Sequence, residues 1–106
     1  MSKTREYHRA CSSGELPEHA MKAVVVAGEA VLLARVEGIV YAVENLCPHE
    51  EIALYKGCLR GDRIECSLHG AQFRLRDGQV CQGPALQNIR CFAVRESDGE
   101  ISVAVS

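Results

Sequence analysis

Between Cys47 and His69 the chain reads CPHEEIALYKGCLRGDRIECSLH, and both ends of this segment carry cysteine and histidine in close pairs. Cys47 and His49 form the first pair with the spacing C-x-H, and Cys66 and His69 form the second with the spacing C-x-x-H. Sixteen residues separate the pairs. Close spacing lets one loop present a thiolate and an imidazole to the same metal centre. An intervening strand, turn and strand would bring the two loops together, so we predict that these four side chains bind one metal centre.

Two kinds of metal centre accept two cysteines and two histidines. The first is a tetrahedral zinc site, and the second is a Rieske 2Fe-2S cluster, in which two histidines replace two cysteines on one iron. Common zinc fingers place their cysteines together and their histidines together, whereas each half of this motif supplies one of each. That arrangement favours a cluster with two unlike irons. A zinc-binding interaction module stays open as an alternative.

The segments on either side of this motif are rich in β-branched and aliphatic residues, which favour β-strands. Near the C-terminus Ile101, Val103 and Val105 alternate with small or polar residues, a period of two that places one apolar face on a core. The sequence therefore predicts an all-β fold, an antiparallel β-sandwich or barrel. The other predicted strands are Lys22–Val26, Val31–Val36, Ile39–Val43 and Phe92–Arg95, and the predicted turns are Gly28-Glu29, Glu37-Gly38, Gly61-Asp62, Asp77-Gly78 and Asp98-Gly99.

The region 46–84 differs from its surroundings, because it is rich in Gly, Cys, His and charged residues and has no long apolar run. Such a composition is typical of loops that present a site on a scaffold. We therefore expect residues 1–106 to form a single domain, with the ligand-bearing loops at 46–84 inserted in a β-scaffold. Only the segment 12–20 is predicted to form a helical turn, with Pro17 in a tolerated early position.

Composition excludes several classes of function. The chain has 106 residues, which fits one compact domain, and its formal net charge of −2 without adjacent Lys or Arg residues argues against nucleic-acid binding. No segment reaches the ~20 apolar residues of a membrane span, and the N-terminus has no apolar export signal. We therefore expect a cytoplasmic protein with neither membrane nor nucleic-acid partners.

A reducing compartment makes metal binding a better explanation than disulfides for some of the six cysteines. His8 and His19 lie in an N-terminal polar stretch far from both pairs, and we expect them to face solvent. The cysteines outside the two pairs are interpreted as small buried hydrophobic side chains without a ligand role: Cys11, Cys58, Cys81 and Cys91.

Several further motifs accompany the two pairs: the run GCLRGDRIE at 57–65, the extension of the second pair to C-S-L-H-G-A-Q-F, Asp77-Gly78 and Gly83-Pro84-Ala85. Together with C-P-H, they make the sequence resemble the Rieske ferredoxins of bacterial aromatic-ring dioxygenases over nearly the whole chain. The resemblance implies that Cys47 and Cys66 hold an inner iron, while His49 and His69 hold an outer iron near the surface. These four residues would bind one 2Fe-2S cluster of the Rieske type.

The resemblance also assigns roles to residues around the ligands. Gly70 would allow a close backbone approach to the cluster and offer an amide to a bridging sulfide. The loop at Gly83-Pro84 would cover the cluster from a third side, and Phe73 occupies the family's aromatic position.

Four positions of this sequence differ from the Rieske proteins of quinol-oxidising membrane complexes, and the differences narrow the choice of subfamily. Those proteins carry two additional cysteines, which form a disulfide, at the positions of Ile52 and Leu68 here. They also have a Ser and a Tyr where this chain has Ala71 and Phe73. The missing disulfide and hydroxyl donors indicate the low-potential class.

The resemblance implies an electron carrier and not an enzyme. It would take electrons from a flavin-containing ferredoxin reductase that uses NADH or NADPH, and pass them to a terminal oxygenase. The small subunit of an assimilatory nitrite reductase is a second interpretation. Partners would dock at the tip formed by His49, His69 and Pro84, with Glu50 and Glu51 as candidates for an acidic rim.

Overall fold

A computed structural model describes residues 6–48, 52–67, 70–82 and 87–105. Within these ranges the chain forms ten β-strands and two short 3-10 helices, at Ser13–Glu15 and Leu54–Lys56. The strands are β1 (His8–Ser12), β2 (Met21–Val26), β3 (Glu29–Val36), β4 (Ile39–Glu44), β5 (Cys58–Arg60), β6 (Arg63–Glu65), β7 (Gln72–Arg74), β8 (Val80–Gln82), β9 (Cys91–Ser97) and β10 (Glu100–Ala104).

The strands form two antiparallel sheets. The larger sheet has the strand order β1-β10-β9-β4-β3-β2, and its edge strands β1 and β2 come close together, so that the sheet curls into a nearly closed barrel. The smaller sheet has the order β5-β6-β7-β8. The architecture confirms the predicted all-β fold, and the four longer segments predicted as strands correspond to β2, β3, β4 and β9.

Strand β3 lies between two separate apolar cores. Val31 and Leu33 point into the barrel interior, whereas Leu32 and Ala34 point to the opposite face, where the smaller sheet packs. Successive side chains of a strand alternate between faces, so a strand covered on both sides needs a continuous apolar run. The unbroken sequence VLLA at 31–34 meets this need, and it joins the barrel to the smaller sheet.

The smaller sheet presents one apolar face and one polar face. On its inner face Leu59, Ile64, Phe73 and Val80 stand opposite one another across the four strands and pack into the shared core. Region 46–84 was predicted as loops, with a strand, a turn and a strand between the two cysteine–histidine pairs. That strand, turn and strand are β5 and β6, whereas the further strands β7 and β8 were not predicted. The strands of this sheet have three residues each, too few for a sequence period to be recognised.

Local differences from the predicted turns have simple geometric reasons. The β2–β3 turn is Ala27-Gly28, one residue earlier than predicted, because two consecutive residues with positive φ form the turn and Glu29 already pairs with Val26. The connection between β7 and β8 is longer than the two residues Asp77-Gly78. The predicted turns at 37–38, 61–62 and 98–99 are confirmed.

The predicted helical turn at 12–20 is smaller than expected. It is a 3-10 helix of three residues, Ser13–Glu15, and Pro17 follows it instead of lying inside it. The predicted alternation near the C-terminus is confirmed, since Ile101 and Val103 are fully buried on β10. Across the described ranges, no helix has the length and apolar character that crossing a membrane requires.

Candidate metal centre

The two cysteines of the predicted ligand set lie at the point where the barrel meets the smaller sheet. Cys47 follows β4 and forms an isolated antiparallel bridge with Ile52, while Cys66 directly follows β6. Both side chains are buried, with exposed fractions of 0% and 1% respectively. They belong to the same apolar cluster, so the structure brings the two halves of the sequence motif to one core.

The two cysteine-bearing loops close in the same way. The backbone N–H of Cys47 donates to the carbonyl oxygen of Ile52 at 2.8 Å, and the N–H of Cys66 donates to the carbonyl oxygen of Ala71 at 2.7 Å. In each loop the hydrogen bond spans five residues, although the sequence spacing to the histidine is C-x-H in one and C-x-x-H in the other. The two hydrogen bonds therefore close segments of equal length, and in the sequence each segment includes one of the two predicted histidine ligands.

The environment of the two cysteines fits an iron–sulfur centre. A buried thiolate is costly unless a cation compensates its charge, and the surrounding cluster supplies apolar side chains such as Leu54 and Phe73. Soft sulfur donors are the ligands that an iron–sulfur cluster uses, and here two of them belong to one apolar cluster. The donor set present among the described residues is thus compatible with such a group.

Several predicted site residues lie outside the described residues. They include both predicted histidine ligands, the two glutamates of the predicted acidic rim, and the loop predicted to cover the cluster. These residues are His49, Glu50, Glu51, Leu68, His69, Gly83, Pro84 and Ala85. Within the described ranges no group of three or more His, Cys, Asp or Glu side chains comes together in a manner suited to a metal ion.

Three of the four positions that separate this sequence from the quinol-oxidising class lie among the described residues, and Leu68 does not. Ala71 and Phe73 are fully buried, and Ile52 is partly buried against the same core. Gly70 has a φ of +69°, and a Cβ there would meet only the Glu65 carboxylate oxygen at 3.9 Å. Its backbone conformation, and not a close approach to another part of the described chain, explains glycine at this position.

Gly57 makes a close backbone contact with Glu65, the residue before Cys66, and this contact could not be predicted from the sequence. A Cβ added at Gly57 would lie 1.8 Å from the carbonyl oxygen of Glu65, the residue before Cys66. The φ of Gly57 is −88°, so this glycine is needed for space and not for an unusual backbone conformation. The segment around Gly57, which follows the Cys47 loop, therefore packs directly against β6, which leads into the Cys66 loop.

A polar network covers the outer face of the smaller sheet beside this contact. Arg60 Nε and Gln72 Nε2 both donate to Glu65 Oε1, at 3.0 and 3.1 Å, and Arg63 Nη1 donates to Gln72 Oε1 at 3.2 Å. Because these bonds join strands β5, β6 and β7, they hold in place the end of β6 from which Cys66 emerges.

The turn after β7 is held by a second glycine and by an ion pair. A Cβ on Gly78 would lie 2.0 Å from the carbonyl oxygen of Ile89, and the φ of Gly78 is +75°. Arg74 Nη2 donates to Asp77 Oδ2 at 2.7 Å, and its Nε also contacts the carboxylate. This hydrogen bonding, with a further bond from the Gln79 N–H, lowers the pKa of Asp77 to about 2.

The predictions for the remaining cysteines were right in one case only. Cys11 is buried in the barrel interior, and burial raises the pKa of its thiol. Cys58, Cys81 and Cys91 are exposed, contrary to the prediction, because strand register and not residue type decides which face a side chain occupies. The expectation for His19 is confirmed with 72% of its side chain exposed. His8 is 41% exposed.

The Rieske [2Fe-2S] domain family matches residues 6–93. The chain belongs to this family. Family membership accounts for the placement of two buried cysteines on matching loops beside a small second sheet, and it disfavours the zinc-binding alternative.

Relatives within the Rieske family are ferredoxin components of dioxygenase systems. The ferredoxin component of the naphthalene 1,2-dioxygenase system of Pseudomonas aeruginosa is 33% identical over 103 residues, which are 97% of this chain and 99% of the relative. The chain is therefore of the ferredoxin-component type, as predicted, and not a catalytic oxygenase.

Solved structures agree with this relationship. The ferredoxin of carbazole 1,9a-dioxygenase from Nocardioides aromaticivorans IC177 has a TM-score of 0.89 and 31% identity, covering 94% of this chain and 98% of that one. A complex of reduced oxygenase and oxidised ferredoxin in carbazole 1,9a-dioxygenase contains a chain with a TM-score of 0.87 and 28% identity, covering 95% of this chain and 94% of that one.

Proposed function

We propose that this Rieske protein carries single electrons from a flavin-containing, NAD(P)H-dependent ferredoxin reductase to the terminal oxygenase of an aromatic-ring-hydroxylating dioxygenase system. It would act in the cytoplasm, as a single domain spanning residues 1–106 with its cluster-binding part at 46–84. One 2Fe-2S cluster per chain would be held by Cys47, His49, Cys66 and His69. When bound, the cluster supplies a centre that accepts and releases one electron reversibly.

The observation that carries this proposal is the pair of loops closed by equivalent hydrogen bonds, each beginning at a buried cysteine. Cys47 and Cys66 would hold the cluster beside the apolar core to which both belong, and His49 and His69 would supply its two remaining ligands. The apolar side chains around the two cysteines shield them from water. The ferredoxin components among the relatives favour this function over that of a nitrite reductase subunit.

Residues of this chain would position the two cysteine ligands and determine the surroundings of the cluster. The hydrogen bonds from the Cys47 and Cys66 amides fix where each cysteine begins its loop. Phe73 and Ala71 place no side-chain hydroxyl beside the centre, which favours a low potential because hydrogen bonds to cluster sulfur stabilise the reduced state. Docking at the tip formed by His49, His69 and Pro84, with Glu50 and Glu51 on its rim, belongs to the same proposal.

The test compares ligand and non-ligand cysteines of the same chain. We expect wild type to contain two irons and two sulfides per chain, as one 2Fe-2S cluster requires, and to give a Rieske-type electron paramagnetic resonance signal when reduced. Cys47→Ser and Cys66→Ser should lose both properties, whereas the matched control Cys91→Ser, at an exposed position, should keep them. A zinc-loaded, iron-free protein from iron-replete cells would refute the proposal.

A further inference from the structure

The outer face of the smaller sheet carries a row of arginines at one register. Arg60 stands directly opposite Arg63 on the neighbouring strand, and Arg63 stands directly opposite Arg74 on the next. Directly opposite residues of antiparallel strands point to the same face. With strands about 4.8 Å apart, the three side chains leave the sheet within about 10 Å of one another. We call Arg60, Arg63 and Arg74 the arginine row.

Stability alone does not account for the arginine row. Like charges directly opposite each other in a sheet are destabilising. Arg60 and Arg74 are each paired with a carboxylate, those of Glu65 and Asp77, which orients their guanidinium groups. Arg63, in the middle, donates instead to the neutral amide of Gln72, and among the described residues no carboxylate pairs with it.

The charge of the arginine row contrasts with that of the rest of the chain. The segment 57–82 contains four arginines and three carboxylates, whereas the whole chain has a formal net charge of −2. The middle arginine is exposed and lies three residues before Cys66, about 10 Å along an extended strand. The positive patch therefore lies beside the proposed cluster loops and not on them.

We propose that the arginine row is a docking surface for a carboxylate-bearing patch on a redox partner protein. This inference rests on the proposed function, because it concerns how a partner approaches the cluster loops. A planar guanidinium presents paired donors that match a carboxylate. Arg63 offers such a group without a carboxylate partner among the described residues, and the guanidinium groups of Arg60 and Arg74, held by their own carboxylates, flank it. An acidic patch engaged there would fix the partner's orientation while the cluster loops beside it remain free for electron exit.

A docking surface of this kind changes the rate at which the partner associates more than it changes the spectrum or the reduction potential of the cluster. Rim charges of an interface change the association rate and its salt dependence, and redox encounters use small interfaces. Replacing the middle arginine by a neutral residue should slow association with the acidic partner by about two- to fivefold at low ionic strength, as for an exposed charge pair. The effect should shrink as salt is added.

The experiment uses Arg63→Thr and Arg63→Glu in the cluster-loaded protein, with the reductase and the oxygenase purified from the same cells. Stopped-flow spectroscopy measures the reduction and the oxidation of the protein across a salt series. We expect both variants to slow at least one half-reaction at low salt, Arg63→Glu more strongly. Both should unfold at temperatures equal to or above that of wild type, because they remove repulsion between opposing arginines.

The matched control is Arg9→Thr, which removes an exposed arginine from a strand of the other sheet. It should leave both half-reactions unchanged. If Arg63→Glu shows wild-type rates and salt slopes in both half-reactions, or faster rates, the docking surface is refuted. Failure of the proposed function itself would be distinguishable, because wild type would then lack the Rieske-type resonance signal before any partner is added.

Discussion

The substitution Gly57→Ala tests whether the backbone contact between the two ligand segments positions Cys66. A Cβ at this position would lie 1.8 Å from the Glu65 carbonyl oxygen and 2.9 Å from its carbon. Normal contact requires a displacement of roughly 1.5 Å, and both sides of the contact are backbone that cannot rotate away. Overpacking of this kind costs about 3 kcal/mol. For a domain of this size that corresponds to a fall of about 12 °C in the midpoint of thermal unfolding.

The same displacement should move the start of the second cysteine loop, so we expect iron per chain to fall together with stability. Circular dichroism gives the unfolding midpoint and elemental analysis the iron content. Gly14→Ala is the matched control, because nothing lies within 4 Å of a Cβ added there. It should change the midpoint by about 2 °C at most. A Gly57→Ala protein that loads iron fully and unfolds like the control would refute the reasoning.

Four further substitutions test the turns, the charges and the proposed cluster environment. Ala27→Asn should stabilise by about 0.5 kcal/mol, seen as a higher urea midpoint, because residue 27 has a φ of +48° that asparagine tolerates better. Glu15 accepts hydrogen bonds from Ser12 that lower its pKa to about 2, so this carboxylate stabilises the fold above its ordinary pKa of 4.5. The difference in urea midpoint between wild type and Glu15→Gln should therefore be constant above about pH 5 and vanish as the pH falls towards 2. Ala71→Ser and Phe73→Tyr should each raise the reduction potential measured by voltammetry, and a wild-type potential above about +100 mV would contradict the low-potential assignment.

The longer strands were predictable because their side chains follow a pattern that burial imposes. The apolar run at 31–34 indicates a strand covered on both faces, and the alternation at Ile101 and Val103 indicates one covered on a single face. The smaller sheet was not predictable from a period, since its strands have three residues each, and only the strand, turn and strand of β5 and β6 was expected, from the need to bring the two loops together. Its formation depends on pairing with neighbours, as between Ile64 and Phe73, that lie nine residues apart in the sequence.

The site was predictable to the extent that its chemistry is local in sequence. Two close pairs of metal-binding residue types predict the ligands without any knowledge of the fold, and the structure places the two cysteines of these pairs in one core. The contact between Gly57 and Glu65 leaves no such local signal, because glycine occurs for several unrelated reasons. The arginine row is equally hidden, since Arg60, Arg63 and Arg74 become neighbours only through strand register.

These features together explain how a small domain can hold two ligand loops in a fixed relation. Cys47 is tied to Ile52 by a backbone bridge, and the short helix Leu54–Lys56 that follows ends at Gly57. Gly57 packs against the carbonyl group of Glu65, the last residue of β6 before Cys66, so the segment between the two loops also sets the distance between them. A site held by backbone contacts needs little rearrangement when its charge changes, which is the property that a carrier of single electrons requires. The short segment between the two loops therefore contributes to the proposed function by holding the predicted ligands in position, although it carries no ligand itself.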